Sequence, residues 1–238
     1  MSADSAAGSV AGRDRPHSTR TRDFGTGPLS RAAALIHTLL TTSALLLLTA
    51  SPGLIPLLLT GPTPLAALFL LPLGPAASAA LYALHHRSAD LTDLHPARTY
   101  LHGLRVNTLP ALKLWTPLLT WLTVIAFTLT HFTATGLPTW WAAILAATAV
   151  VALLWGAHAL VLTSLFTFRA RDTARLAAYF LLRHGRATLG ALSLLVLTAT
   201  TTALLTEALP ALLSAPLLLS LLHTARPVIA ETKESFTA

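Results

Sequence analysis

Residues 139–162 read TWWAAILAATAVVALLWGAHALVL, an apolar run that contains no Asp, Glu, Lys or Arg. A membrane-spanning α-helix needs roughly 20 apolar residues, because about 30 Å of hydrocarbon is crossed at about 1.5 Å per residue. An open strand would leave backbone polar groups unpaired in lipid, and the run lacks the alternation of barrel strands. This stretch therefore predicts a transmembrane helix.

Five further segments have the same character. They are 32–50, 65–84, 111–130, 187–206 and 208–225. The whole chain of 238 residues is 54 % apolar and only 11 % charged, whereas a soluble domain has roughly 25 % charged residues. This composition excludes a soluble globular domain, and its high apolar content excludes a disordered chain. The sequence predicts an all-α fold, a polytopic transmembrane bundle of about six helices embedded in a lipid bilayer.

The basic residues determine the expected orientation. Of the 16 Lys and Arg residues, fifteen lie before helix one, between helices two and three, between four and five, or after six. The remaining one, Lys113, lies at the start of helix three. The three opposite connections contain none. By the positive-inside rule the basic side is cytoplasmic, so both termini are expected inside. On a membrane protein, the net charge of +7 indicates cytoplasmic segments that face anionic lipid, and it does not indicate binding to nucleic acid.

The composition also bears on origin and on domain organisation. Arginine greatly outnumbers lysine, which is typical of a GC-rich bacterial genome, so we expect a bacterial cytoplasmic (inner) membrane protein. Residues 1–30 are small, polar and basic and predict a disordered cytoplasmic tail. Residues 31–227 form the expected transmembrane domain, and residues 228–238 a short cytoplasmic tail. The apolar run at 32–50 exceeds the roughly 7–15 residues of a signal-peptide core, so we expect a retained helix.

The first outer connection, residues 51–64, reads SPGLIPLLLTGPTP and is apolar but contains four prolines. Proline removes a backbone donor and kinks or ends a helix. Two interpretations stay open. The segment either prolongs helix one beyond a kink or dips back into the outer leaflet.

Two cytoplasmic connections, 90–113 and 168–186, have the spacing of amphipathic helices. The first places Tyr100, Leu101, Leu104 and Thr108 on one stripe, and the second places Phe168, Leu176 and Phe180 on one face. Such helices either lie in the headgroup layer or dock a cytoplasmic partner. The candidate partner contacts are Arg98, Arg105, Arg169 and Arg175.

The cores of the predicted spans lack Asp, Glu, Lys and Arg, which argues against carboxylate-driven proton coupling and against an intramembrane acid–base enzyme. His37 and His158 are the candidate intramembrane ionisable groups. Each is either a neutral imidazole bonded to a neighbouring helix or a pH-sensing or substrate contact. Threonines recur at helical spacing, among them Thr120 and Thr202. They either pack between helices or line a path for a polar solute.

Chemical motifs are scarce. The chain has no cysteine, and it contains no Walker loop, GxGxxG, GxSxG or HExxH. Four histidines and two aspartates near the connection between helices two and three have the composition of a metal site, but no pair of them has the HExxH spacing. This loop cluster comprises His85, His86, Asp90, Asp93, His95 and His102. We therefore predict no catalytic residue, no cofactor and no metal site.

Residues 71–87, LPLGPAASAALYALHHR, resemble the signature region of the YesL-like family of bacterial integral membrane proteins, a domain of unknown function. Residues 99–115 and 174–192 are similar to the two cytoplasmic stretches of that family. The resemblance implies an accessory or regulatory role in carbohydrate ABC-type uptake, through contact with an ABC transporter subunit or another membrane or cytoplasmic protein. It implies no catalytic residue. A small-solute permease that uses the threonine-lined faces is the alternative.

Overall fold

The computed structural model describes residues 28–60, 66–87, 95–136, 138–204 and 211–236, and their regular structure is helical. The α-helices are α1 (Pro28–Thr60), α2 (Ala66–Phe69), α3 (Leu73–His85), α4 (Pro96–Thr130), α5 (Trp140–Leu165), α6 (Ala170–Arg183), α7 (Gly185–Leu204), α8 (Ser214–Thr224) and α9 (Arg226–Phe236), with a 3-10 turn at Phe132–Thr135. The all-α prediction is confirmed for these residues. The tail predicted at 1–30 lies outside them, except that α1 already begins at Pro28.

Four of the described helices are long and apolar enough to cross a membrane. They are Leu29–Pro56, Pro96–Thr130, Trp140–Leu165 and Gly185–Leu204. They coincide with the first, third, fourth and fifth predicted spans. The second predicted span is divided between α2 and α3, and α3 has 13 residues. The sixth corresponds to α8, an apolar helix of 11 residues.

Helix α1 continues past the predicted end at residue 50. It runs through Pro52 and Pro56 to Thr60, so of the two interpretations of 51–64 the prolonged helix is the one observed as far as residue 60. Gly53 lies against the backbone of α2, where an added Cβ would be 1.8 Å from the carbonyl oxygen of Phe69. The absence of a side chain at this position allows the two helices to meet.

The second predicted span is broken at a turn before Pro72. A break of this kind exposes carbonyl groups that an uninterrupted helix would bond internally. The indole Nε1 of Trp115 on α4 donates to the carbonyl oxygen of Leu70 at 3.0 Å, and the backbone N–H of Leu73 donates to the same oxygen at 3.2 Å. The break is therefore supported from the neighbouring helix.

Helix α3 lies at the centre of the bundle and contacts α1, α4, α5 and α8. Its buried residues are Gly74, Pro75, Ala76, Ser78, Ala79, Ala80, Leu81, Ala83 and Leu84. Most of these side chains are small, so neighbouring backbones can approach closely. Close approach matters in lipid, where burial of apolar surface gives no preference for helix over acyl chain and packing drives association.

Helix α4 is one continuous helix of 35 residues and is therefore about 52 Å long at about 1.5 Å per residue. The connection predicted at 90–113 is thus, from Pro96 onward, the first half of this helix. Its buried face has Tyr100, Gly103, Asn107 and Ala111, whereas Leu101 of the predicted stripe is half exposed. Gly103 lies against the Tyr82 ring, where an added Cβ would be 2.8 Å from Cδ1.

Substitution of Gly74 by alanine tests the close packing of α3. The new Cβ would lie 2.4 Å from Cγ of Trp115, at the base of that side chain, where little movement is possible. We expect Gly74→Ala to lower the free energy of unfolding by about 1–3 kcal/mol through overpacking. Gly185→Ala is the matched control, since nothing lies within 4 Å of its added Cβ. Equal thermal unfolding of the two variants in detergent would contradict this packing.

Candidate functional site

Most basic side chains of the described residues lie at one end of the bundle. We call this the basic end: the ends of α3, α5 and α8, the beginnings of α4 and α7, and helices α6 and α9. Its arginines are Arg87, Arg98, Arg105, Arg169, Arg171, Arg175, Arg183, Arg186 and Arg226. Two contacts join these elements: Asn107 Nδ2 of α4 donates to the Ser164 carbonyl of α5 at 3.3 Å, and Gly190 of α7 lies against Thr224 of α8.

Helix α6 is docked onto the bundle through its apolar face. Phe180 is fully buried in a cluster with residues of α4, α5, α7 and α9. The indole Nε1 of Trp155 on α5 also donates to the Ala174 carbonyl of α6 at 3.1 Å. Leu176 and Phe168 of the predicted face are partly buried. The face predicted to contact headgroups or a partner is therefore occupied by the protein itself, and the polar face of α6 points outward.

The four candidate partner contacts are exposed. Arg98 and Arg105 lie on α4, Arg169 is the N-cap residue of α6, and Arg175 lies six residues further along α6. Within the described residues, none of them forms an ion pair with a carboxylate. The structure thus presents all four on helices whose opposite faces are packed against the bundle.

The segment predicted at 228–238 as a short tail is largely helical, because α9 extends from Arg226 to Phe236. Val228 and Thr232 are buried on one face of α9. Glu231 accepts a hydrogen bond from Arg183 Nε at 3.1 Å, and its other carboxylate oxygen lies 3.2 Å from His184 Nε2, so one carboxylate joins α9 to the junction of α6 and α7. Val228 and Thr232 are four residues apart, which is the spacing of one helix face, but this short pattern does not by itself predict a packed helix.

The candidate intramembrane groups are placed differently from one another. His37 on α1 is exposed, whereas His158 on α5 is buried, with Nδ1 2.9 Å from the carbonyl oxygen of Leu154 in its own helix. Thr120 and Thr202 are exposed, and their hydroxyls donate to the carbonyl oxygens of Thr116 and Thr198 at 3.0 and 2.9 Å. Both hydroxyls are thus bonded to their own helices.

Sequence reasoning missed two polar contacts that join the helices. Asn107 was a lone amide in an apolar region, a signal for an interhelical bond, and it reaches Ser164. The Ser43 hydroxyl of α1 accepts from the backbone N–H of Ala215 at 3.2 Å, in the first turn of α8. The first N–H groups of a helix have no partner within the helix, so Ser43 supplies one from a distant part of the chain. Only the three-dimensional arrangement reveals this cap.

The predicted absence of a metal site concerns residues that are only partly described. Among the described residues, no group of three or more His, Cys, Asp or Glu side chains is arranged to hold a metal ion. Asp90 and Asp93 of the loop cluster lie outside the described residues. His85 and His86 are adjacent, with ring centroids 5.2 Å apart, and His102 lies near Tyr82.

No family model, curated protein or solved structure matches this chain. The resemblance of residues 71–87 to the YesL-like family therefore stays a prediction.

Replacement of Glu231 by glutamine tests the tie between α9 and the rest of the bundle. The change keeps the shape of the side chain but removes its charge, so both bonds to Arg183 and His184 weaken. Because the pair is partly exposed, we expect a loss of about 0.5–1 kcal/mol in local stability, smaller at high salt. Amide hydrogen exchange over residues 226–236 should become faster. Glu234→Gln removes the same charge from an exposed site on α9 and should leave exchange unchanged.

Proposed function

We propose that the chain crosses the bacterial inner membrane six times, with both termini in the cytoplasm. The connectivity supports this number. The end of α3 and the beginning of α4 meet at the basic end, so residues 66–85 must return the chain from the far end of α1. In the same way, α8 must return the chain from the far end of α7. The two short helices would then complete crossings that neither is long enough to make alone.

Single cysteines in this cysteine-free chain can test the orientation. Thr167 lies at the basic end between α5 and α6, and Thr133 lies at the opposite end, beyond α4; both are exposed. We expect Thr167→Cys to react with a membrane-impermeant maleimide only after cells are opened. Thr133→Cys should react in intact cells. Labelling of both from the same compartment would contradict the six-span arrangement.

We further propose that the protein is an accessory component of a membrane transport complex and docks its partner through the basic end. The observation that carries this proposal is the presentation of Arg98, Arg105, Arg169 and Arg175 on helices fixed by internal packing. A rigid platform loses little conformational entropy on binding, which favours a specific contact. Exposed arginines are suited to carboxylates of a partner, because the guanidinium forms paired hydrogen bonds.

The nature of the partner is proposed from the resemblance of residues 71–87. By that resemblance, the partner is a subunit of a carbohydrate ABC-type uptake system. We propose no enzymatic step, because the resemblance implies no catalytic residue. Thr120 and Thr202 face outward and bond to their own helices, so the permease alternative gains no support from either residue.

Charge reversal tests the docking surface. Two double variants are made: one combines Arg98→Glu and Arg105→Glu, and the other combines Arg169→Glu and Arg175→Glu. Each should abolish recovery of the partner when the protein is purified from native membranes. A docking surface attracts a partner surface of opposite charge and repels one of like charge. Arg171→Glu with Arg186→Glu changes net charge equally at exposed positions of the same end and should retain the partner. Undiminished recovery from the two test pairs would contradict the proposal.

A further inference from the structure

A cleft of about 430 Å³ opens at the basic end between the last turn of α3, the C-terminal half of α8 and one face of α9. Its floor is apolar and includes the buried side chains of Leu84, Leu222 and Ile229. This cleft is separate from the four arginines proposed to dock a partner. The cleft brings the end of α3 together with α8 and α9, which lie more than 120 residues further along the chain.

The rim of the cleft is cationic. Arg87, Arg226 and Lys233 contribute permanent positive charges, and His85 and His223 also line it. No Asp or Glu among the described residues lines the cleft. Glu231 lies on another face of α9 and is engaged with Arg183 and His184.

The negative C-terminal ends of two helices offset only part of the positive charge of the rim. The C-terminal carbonyl groups of α3 and α8 attract cations, as the negative end of any helix does. Each helix terminus is equivalent to at most about half an elementary charge, so two termini offset about one charge, which is less than Arg87 and Arg226 together supply. The cleft keeps an excess of positive charge.

Of the two histidines that line the cleft, His85 lies close to other positively charged groups. Partial burial, together with the nearby His86 and Lys233, lowers the pKa of His85 below its ordinary value. The permanent cations therefore dominate the charge of the rim. An anion bound in the cleft would oppose this shift and raise the pKa again.

We propose that this cleft binds the phosphate group of an anionic phospholipid from the leaflet on the basic side of the membrane. The guanidinium groups of Arg87 and Arg226 are suited to phosphate oxygens, because each can donate two parallel hydrogen bonds. The floor would contact the glycerol and the first carbons of the acyl chains. An inorganic ion would gain nothing from that floor, which favours a lipid over free phosphate. The headgroup layer also lies where membrane-crossing helices end.

Lipid binding to the purified full-length chain provides the test. Phosphatidylglycerol is titrated into the protein in a neutral detergent while thermal unfolding is followed by tryptophan fluorescence, with phosphatidylcholine as the zwitterionic control. We expect phosphatidylglycerol alone to stabilise the protein. Arg87→Gln combined with Arg226→Gln should weaken its apparent affinity at least about tenfold, since charge-assisted hydrogen bonds are lost.

A matched pair separates a specific site from general attraction to a basic surface. Arg171→Gln combined with Arg186→Gln removes the same charge from exposed positions outside the cleft and should change the affinity less than about twofold. Equal weakening by the two pairs would mean diffuse attraction and would overturn the proposal. Arg87→Lys with Arg226→Lys keeps the charge but loses the paired geometry. It should give an intermediate loss and serves as the test if the glutamine pair does not fold.

Soluble anions distinguish the source of the phosphate group. Inorganic phosphate and glycerol 3-phosphate are added at millimolar concentration in place of lipid. We expect neither to reproduce the stabilisation by phosphatidylglycerol. If inorganic phosphate stabilises the protein equally and the Arg87→Gln, Arg226→Gln pair abolishes that effect, the cleft binds a soluble anion and the assignment to a lipid is wrong.

Discussion

The close packing of neighbouring backbones around α3 is the interaction on which the arrangement of the bundle depends. Hydrocarbon offers no hydrogen bonds to exposed peptide groups and gives little hydrophobic preference for helix over acyl chain. Small residues on α3 let α1, α4, α5 and α8 approach it. The same proximity allows Trp115 to bond the carbonyl group left at the break before α3. The Leu70 carbonyl at this break thus accepts a second hydrogen bond from a neighbouring helix, in addition to the one from the backbone N–H of Leu73.

The basic end shows how packing changes the meaning of an amphipathic pattern. A basic helix with one apolar face has the composition of an interfacial helix, and α6 has that composition. In the bundle its apolar face is covered, with Phe180 fully buried. Its charged face is consequently held in a fixed position. The exposed arginines of α6 and the cationic cleft are both held by this packing, the cleft through α9, which Glu231 joins to the same region.

Helix type and most helix positions were predictable. Long apolar runs such as 139–162 exclude any structure that leaves peptide groups unpaired in lipid, so the helices followed from composition alone. Helix boundaries were less predictable. The turn before Pro72 accepts a bond from Trp115, and the extension of α1 through Pro52 accompanies a contact of Gly53 with α2. These contacts join residues far apart in sequence, where periodicity carries no signal.

The sequence by itself determined that the chain belongs in a membrane, that it is helical and that its cations occur in alternate connections. These properties depend on the transfer of each segment from water to lipid, which is a local quantity. The tertiary structure alone decided that α9 is a packed helix and that Arg87, Arg226 and Lys233 surround one cleft. Such groupings depend on which helix ends come together. Side-chain packing between the helices decides that arrangement, and composition does not encode the packing.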